Sequence, residues 1–136
     1  MRTATSIMQW IVRIAGITLI VLGTLFWLGR ALSLIPVHMA VGLVLVLAML
    51  ALAGIAARAG VRGGLVALTV IWALVVLVLG VTQMRILPGS AHWVVRVLHL
   101  LVGLGALRLA EVVANAVRGR AEQGPAGMVR ERAGAA

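Results

Sequence analysis

The chain has 136 residues, of which 63% are hydrophobic and only 11% are charged, and its formal net charge is +9. A soluble domain usually has about 25% charged residues, so this composition excludes an ordinary soluble protein. The absence of cysteine excludes disulfides, thiolate metal sites, iron–sulfur clusters and covalently attached c-type haem. Without a Ser-His-Asp set, an H-E-x-x-H motif or a Gly-rich phosphate loop, hydrolytic and nucleotide chemistry are not expected.

Four apolar segments approach or exceed the roughly 20 residues that a helix needs to cross a bilayer. They are predicted at about 10–28, 36–57, 65–84 and 91–117. Short connections make sequential helices antiparallel neighbours, so the predicted fold is all-α, an integral membrane up-down-up-down four-helix bundle. Residues 1–9 are predicted as a cytoplasmic N-terminus. Residues 118–136 are too polar to fold and are predicted as a disordered basic cytoplasmic tail.

The arginines are distributed unequally between the two sides of this four-span arrangement. Only Arg30 and Arg85 fall in the two connections on one side. The opposite side holds Arg2, Arg13, Arg58, Arg62, Arg118, Arg120, Arg130 and Arg132. This is the positive-inside pattern, and it predicts a multi-pass membrane protein with both termini in the cytoplasm. The use of arginine without lysine and the richness in Ala, Val, Leu and Gly indicate a GC-rich bacterial genome, so the expected location is the bacterial inner (cytoplasmic) membrane. The lipid bilayer thus accounts for the positive charge without a nucleic acid partner.

The pattern His-x-x-Val-Gly-Leu occurs twice, at residues 38–43 and 99–104. It begins the second span and recurs in the fourth, so the bundle is predicted to consist of two repeated helical hairpins related by a pseudo-two-fold axis along the membrane normal. His38 precedes Arg58 by 20 residues, and His99 precedes Arg118 by 19. The two histidines are therefore expected at the same depth, in the outer half of the membrane.

A histidine inside a membrane span is costly to bury and indicates a functional site. His38 and His99, on facing segments, are predicted as the two metal ligands of one haem, since an apolar site favours the neutral imidazole that binds metals. Gly42 and Gly103 follow them by four residues, on the same helix face. They are predicted to leave room for the flat macrocycle, although close helix–helix contact is another use of glycine in such helices.

His92 and Arg96 share the face of the fourth span that carries His99 and Gly103. His92 is two turns from His99, too far for both to bind one iron from a single helix. With Arg96, and with Arg30 and Arg85 at the same outer level, it is a candidate for binding the haem propionates. Simple interfacial positions remain the alternative for His38, His92 and Arg96.

This pattern resembles the small four-helix b-type cytochromes of bacterial inner membranes. It is similar in plan to one half of the haem A synthase family, whose second and fourth helices each supply a haem-ligating histidine. On that resemblance His38 and His99 take the ligand positions. That family has a glutamate shortly before a ligand histidine, whereas Ile35, Pro36 and Val37 precede His38. The resemblance therefore implies haem b binding and electron transfer, with a quinone or a periplasmic redox protein as the candidate partner.

Other functions stay open at this point. The spans contain few polar groups, which also suits a non-catalytic structural or assembly subunit of a larger membrane complex. The first three spans contain no acidic residue, which disfavours a proton- or cation-coupled transporter. If the protein is part of an enzyme, it is an electron-transfer component of an oxidoreductase. A two-fold homodimer is an available assembly. Arg108 and Glu111 are predicted to form an ordinary interfacial ion pair.

Overall fold

A computed structural model describes residues 2–122 of the chain. Its four long helices are α1 (Arg2–Trp27), α2 (Ile35–Arg58), α3 (Gly63–Thr82) and α4 (His92–Glu122). Short 3-10 turns at Leu32–Leu34 and Gln83–Arg85 precede α2 and follow α3. No strand occurs between residues 2 and 122, so the predicted all-α class is confirmed there. All four helices are long and apolar enough to cross a membrane, which is compatible with a multi-pass membrane protein.

The connections end the helices for identifiable reasons. Pro36 lies in the first turn of α2, where the missing N–H group leaves no hydrogen bond broken. Gly60 turns the chain between α2 and α3 with a φ of +71°, a conformation that favours glycine. Ala31 and Leu87 also have positive φ values, of 53° and 46°. Among residues 2–122 they are the two non-glycine residues with a positive φ. Ala31 lies in the connection before α2, and Leu87 lies in the connection before α4.

Helix α2 packs against the other three helices, and its diagonal partner across the bundle is α4. Met49 and Leu52 of α2 are fully buried, as is Val113 of α4. Many other core positions are alanines, which allow the helix backbones to approach closely. The outward-facing surface is also apolar, since Ile14 and Ile17 are each 62% exposed. An apolar surface around a small core is what a bundle surrounded by hydrocarbon requires.

Two glycines set how closely α4 approaches its neighbours. A Cβ atom at Gly16 of α1 would lie 2.3 Å from a side-chain carbon of Leu107. A Cβ atom at Gly105 would lie 2.5 Å from the Trp72 ring of α3. The Trp72 indole also donates a hydrogen bond of 3.0 Å to the backbone oxygen of Val102. Helix α4 therefore approaches α1 and α3 closely at these two glycines, and the rigid Trp72 ring leaves no room for a side chain at position 105.

The helices extend beyond the predicted spans at two places. Residues 2–9, predicted as a cytoplasmic segment, form the first turns of α1, because Thr5 and Gln9 are buried against the rest of the bundle. Residues 118–122, predicted as the beginning of the tail, continue α4 to Glu122. The remainder of the predicted disordered tail, residues 123–136, lies outside the described residues.

The bundle has two ends with different chemistry. We call the end with the Trp27–Ile35 and Thr82–His92 connections the histidine end, because all three histidines lie towards it. We call the opposite end, where α1 begins and α4 ends, the ion-pair end. There the contacts between α1 and α4 follow reverse sequence order, from Arg2 with Glu122 to Arg13 with Glu111.

Candidate functional site

The structure brings His38 and His99 together near the histidine end. His38 lies in the first turn of α2 and His99 two turns into α4, on the two helices that meet diagonally at the centre. Their ring centroids are 6.3 Å apart, and the ring planes are inclined by 45°. Two residues 61 positions apart in the sequence therefore face each other across the bundle, as the repeated motif predicts.

Both histidines have a buried ring nitrogen without a partner. The Nδ1 atoms of His38 and His99 form no hydrogen bond. Among residues 2–122 they are the two buried side-chain polar atoms without a hydrogen-bond partner. Leaving a buried polar atom unpaired costs about 1–3 kcal/mol. An apolar bundle can avoid this cost simply by placing leucine or valine at these positions. The pair therefore requires an explanation beyond packing.

Each histidine ring lies beside a glycine of the preceding helix, at a place where an added side chain would come into contact with the ring. A Cβ atom at Gly23 of α1 would lie 3.9 Å from Cε1 of His38, and one at Gly80 of α3 would lie 3.8 Å from Cε1 of His99. The two hairpins therefore position their histidines in the same way. The sequence reasoning missed this pairing, because Gly23 and His38 are 15 residues apart whereas Gly80 and His99 are 19 apart. The second connection is longer than the first, so the equivalent glycine–histidine pairs of the two hairpins have different spacings in the sequence.

Phe26 is a second neighbour that the sequence reasoning missed. Its ring centroid lies 5.4 Å from that of His38, with the planes inclined by 59°. The rings are tilted and lie within the distance range of favourable aromatic pairs, so Phe26 packs against the imidazole. Phe26 is the single phenylalanine of the chain and lies near the end of α1. The occurrence of only one phenylalanine in the chain was the sequence feature that could have drawn attention to this position.

Gly42 and Gly103 lie one turn beyond the histidines on α2 and α4. A Cβ atom at either position would meet no atom within 4 Å, unlike one at Gly16 or Gly105. These two glycines are therefore not explained by tight helix contact. Open space lies beside each of them, on the helix that carries the histidine, which suits the predicted role of leaving room for a flat group.

The spacing of the two imidazoles fits a single metal ion between them. A bond from a metal to an imidazole nitrogen is about 2 Å long, so rings on opposite sides of one ion have centroids roughly 6 Å apart. No group of three or more His, Cys, Asp or Glu side chains in residues 2–122 is placed to hold a metal ion. Zinc sites usually take at least three protein ligands. Haem iron needs only axial ligands from the protein, so two histidines suffice for it.

The other predicted site residues lie at the same end but do not join the histidine pair. His92 begins α4, and its Nδ1 lies 3.2 Å from the backbone oxygen of Ile86, a local contact that ties the helix start to the preceding connection. Arg30, Arg85 and Arg96 are exposed. No acidic residue of the described chain lies at the histidine end, so these arginines are available to an external carboxylate or phosphate.

The ion-pair end contains a polar cluster that the sequence did not predict correctly. Glu111 accepts two hydrogen bonds from Arg13, of 2.6 and 2.9 Å, and one from Gln9. Arg118 donates to Gln9 Oε1 at 2.8 Å. The predicted Arg108–Glu111 pair is wrong, because α1 presents Arg13 and Gln9 directly to Glu111 while Arg108 points to the exposed side. The spacing of Gln9 and Arg13, four residues apart on one helix face, was the signal for this cluster.

Comparison with known proteins gives no relative. No protein-family model, curated protein sequence or solved structure matches this chain.

Proposed function

We propose that this protein is a membrane b-type cytochrome. In this proposal His38 and His99 bind one haem b, and the protein transfers electrons near the outer face of the bacterial inner membrane. The observation that carries the proposal is the pair of facing imidazoles, 6.3 Å apart, with both Nδ1 atoms buried and unpaired.

The membrane arrangement has independent support. All four helices have the length and hydropathy of membrane spans, and their outward-facing side chains are largely apolar. The reverse-order contacts of α1 with α4 favour an up-down-up-down arrangement of two hairpins. The excess of arginine at the ion-pair end favours a cytoplasmic position for that end and for both termini. The histidine end is then the outer end.

The residues around the histidines have separable roles. The imidazoles of His38 and His99 offer one nitrogen lone pair each, and their apolar surroundings favour the neutral form that binds metal. Phe26 and the two glycines Gly23 and Gly80 hold the rings in place. Haem b, when bound, supplies a reversible one-electron couple. Arg96, Arg30 and Arg85 are the candidates for binding its carboxylates, with His92 beside them.

The position of the histidines limits the route of an electron. His38 lies 20 residues before Arg58 at the far end of α2, which is roughly 30 Å along a helix. We therefore propose exchange of electrons on the outer side, with a quinone or a periplasmic redox protein as the partner. Transfer across the whole membrane requires a further carrier.

The three histidines provide a matched mutational test. We expect His38→Ala and His99→Ala each to remove most of the haem from the purified protein, because each deletes one of the two side chains that would bind the iron. His92→Ala is the comparison variant: as a candidate contact of the haem carboxylates it should at most weaken haem binding, since His92 lies at the start of α4, contacts a backbone oxygen and does not face the other two histidines. Haem content is measured by the pyridine haemochrome assay.

Full haem occupancy in both His38→Ala and His99→Ala would overturn the assignment. A folded but colourless wild-type protein, after growth with a haem precursor, would favour the alternative of a structural or assembly subunit.

A further inference from the structure

A groove on the surface of the ion-pair end is unexplained by electron transfer. It lies between the beginning of α1 and the end of α2 and has a volume of about 390 Å³. Ala4, Met8, Ala51, Gly54, Ile55 and Arg58 line it. Five of these residues are apolar or small, and the sixth is a charged residue at the last position of α2.

The glycine of the groove does not serve close packing. A Cβ atom at Gly54 would meet nothing within 4 Å, whereas Cβ atoms at Gly16 and Gly105 would collide with neighbouring side chains. Gly54 therefore leaves space that no other part of the described chain fills. An apolar space of this size beside a membrane-facing surface is filled by a molecule with an apolar part, because water gains few hydrogen bonds there.

Arg58, Arg62 and Arg120 at this end have no hydrogen-bond or ion-pair partner among residues 2–122, and Arg58 is the one of the three that lines the groove. Arg13 and Arg2 bind Glu111 and Glu122, and Arg118 binds Gln9. Arg58 is exposed and forms no hydrogen bond or ion pair with any residue between 2 and 122. The guanidinium thus remains free to bind an anion at one end of an apolar groove. Its planar donors match the oxygens of a phosphate.

From this combination we propose that the groove is a binding site for an anionic phospholipid. The groove between Met8 and Gly54 holds part of an acyl chain, and Arg58 binds the headgroup phosphate. The proposal rests on the membrane arrangement in the proposed function, which puts Arg58 at the cytoplasmic leaflet, where anionic lipids attract basic residues. It is independent of haem binding.

Lipid binding is measured by native mass spectrometry of the full-length protein in detergent. The protein is titrated with phosphatidylglycerol and with phosphatidylcholine of the same acyl chains. Both lipids carry a phosphate, but the choline cation of phosphatidylcholine offsets its charge, so we expect the wild type to bind the anionic phosphatidylglycerol about tenfold more tightly. Arg58→Gln should reduce that preference to near onefold, whereas the control Arg62→Gln, outside the groove, should retain it.

A second variant tests the groove itself. Gly54→Leu fills the space without changing charge, and we expect it to weaken the binding of both lipids. If Arg58→Gln and Arg62→Gln lose equal amounts of the preference for phosphatidylglycerol, the preference comes from general attraction by the basic surface. That result would overturn the proposed site. Unchanged binding in Gly54→Leu would likewise contradict the groove. A colourless protein with normal lipid preference would contradict the cytochrome proposal alone, and a protein absent from the membrane fraction would contradict both proposals.

Discussion

The two ends of the bundle differ in whether the polar side chains between their helices are hydrogen-bonded. At the ion-pair end, Glu111 accepts hydrogen bonds from Arg13 and Gln9, and Gln9 in turn accepts one from Arg118. At the histidine end, two imidazoles face each other with their buried Nδ1 atoms unpaired. The first cluster satisfies itself within the protein and joins α1 to α4. The second leaves two buried nitrogen atoms without a hydrogen bond.

This contrast is what the proposed function predicts: polar residues that hold helices together at one end, and a pair left free for a ligand at the other. A buried polar network that is fully paired holds helices in register and needs no ligand. A buried pair that is left unsatisfied has a free-energy cost, which binding of a suitable group offsets. Substitutions at the ion-pair end should therefore change the stability of the protein and leave cofactor binding unchanged. Substitutions at the histidine end should change cofactor binding more than stability.

The largest expected effect at the histidine end, apart from removal of the ligands, comes from the glycines that face them. In Gly80→Leu the new side chain extends beyond the Cβ position, already 3.8 Å from Cε1 of His99, and displaces the imidazole. We expect loss of most of the haem although both histidines are present. Gly80→Ala makes only an ordinary contact at that distance and should retain the haem. Absorbance of the purified variants measures both.

The other hairpin provides a check on this prediction. Gly23 stands in the same relation to His38, at 3.9 Å, so Gly23→Leu should cause a similar loss. Full haem content in both leucine variants would contradict the view that these glycines position the ligands. A loss in only one of the two would show that the hairpins are not functionally equivalent.

A smaller effect is expected where a glycine serves packing alone. Gly105→Ala puts a Cβ atom 2.5 Å from the rigid Trp72 ring, and we expect overpacking to lower the stability by about 1–3 kcal/mol. Gly54→Ala is the matched control, since its Cβ atom meets nothing, and the better helix propensity of alanine should leave stability unchanged or slightly higher. Thermal unfolding in detergent measures the difference. Equal stability of the two variants would contradict the close approach of α3 and α4.

The smallest effect is expected at the ion-pair end. Glu111→Gln keeps the size of the side chain but removes the charge that binds Arg13. Both side chains are partly exposed, so solvent screens their interaction, and we expect Tm to fall by only a few degrees. The haem spectrum should not change. A spectral change in this variant would show that the two ends are coupled, against the separation drawn here.

The helices were predictable because their boundaries follow from local chemistry. Apolar runs of sufficient length end at Arg58 and begin again after Gly64 and Pro88. The first turns of α1 were not predictable in this way, because Thr5 and Gln9 are polar in sequence. Their burial depends on Glu111 and Arg118 in α4, about a hundred residues away.

The candidate site was also predictable only in part, because some of its contacts follow from local sequence and others do not. The repeated motif placed His38 and His99 at one depth, and the structure brings their rings together. The contacts of these rings with Gly23, Gly80 and Phe26 depend on how each hairpin closes, which local spacing does not encode. The Arg108–Glu111 prediction failed because proximity within one helix was outweighed by a partner on another helix.

The most direct test of the central claim is an absorption spectrum of the wild-type protein, purified in detergent, before and after reduction with dithionite. With His38 and His99 as axial ligands, the reduced protein should show the sharp α-band and red-shifted Soret band of low-spin, six-coordinate haem. A folded protein with no Soret band after growth with a haem precursor would contradict the claim that the unpaired histidines form a haem site.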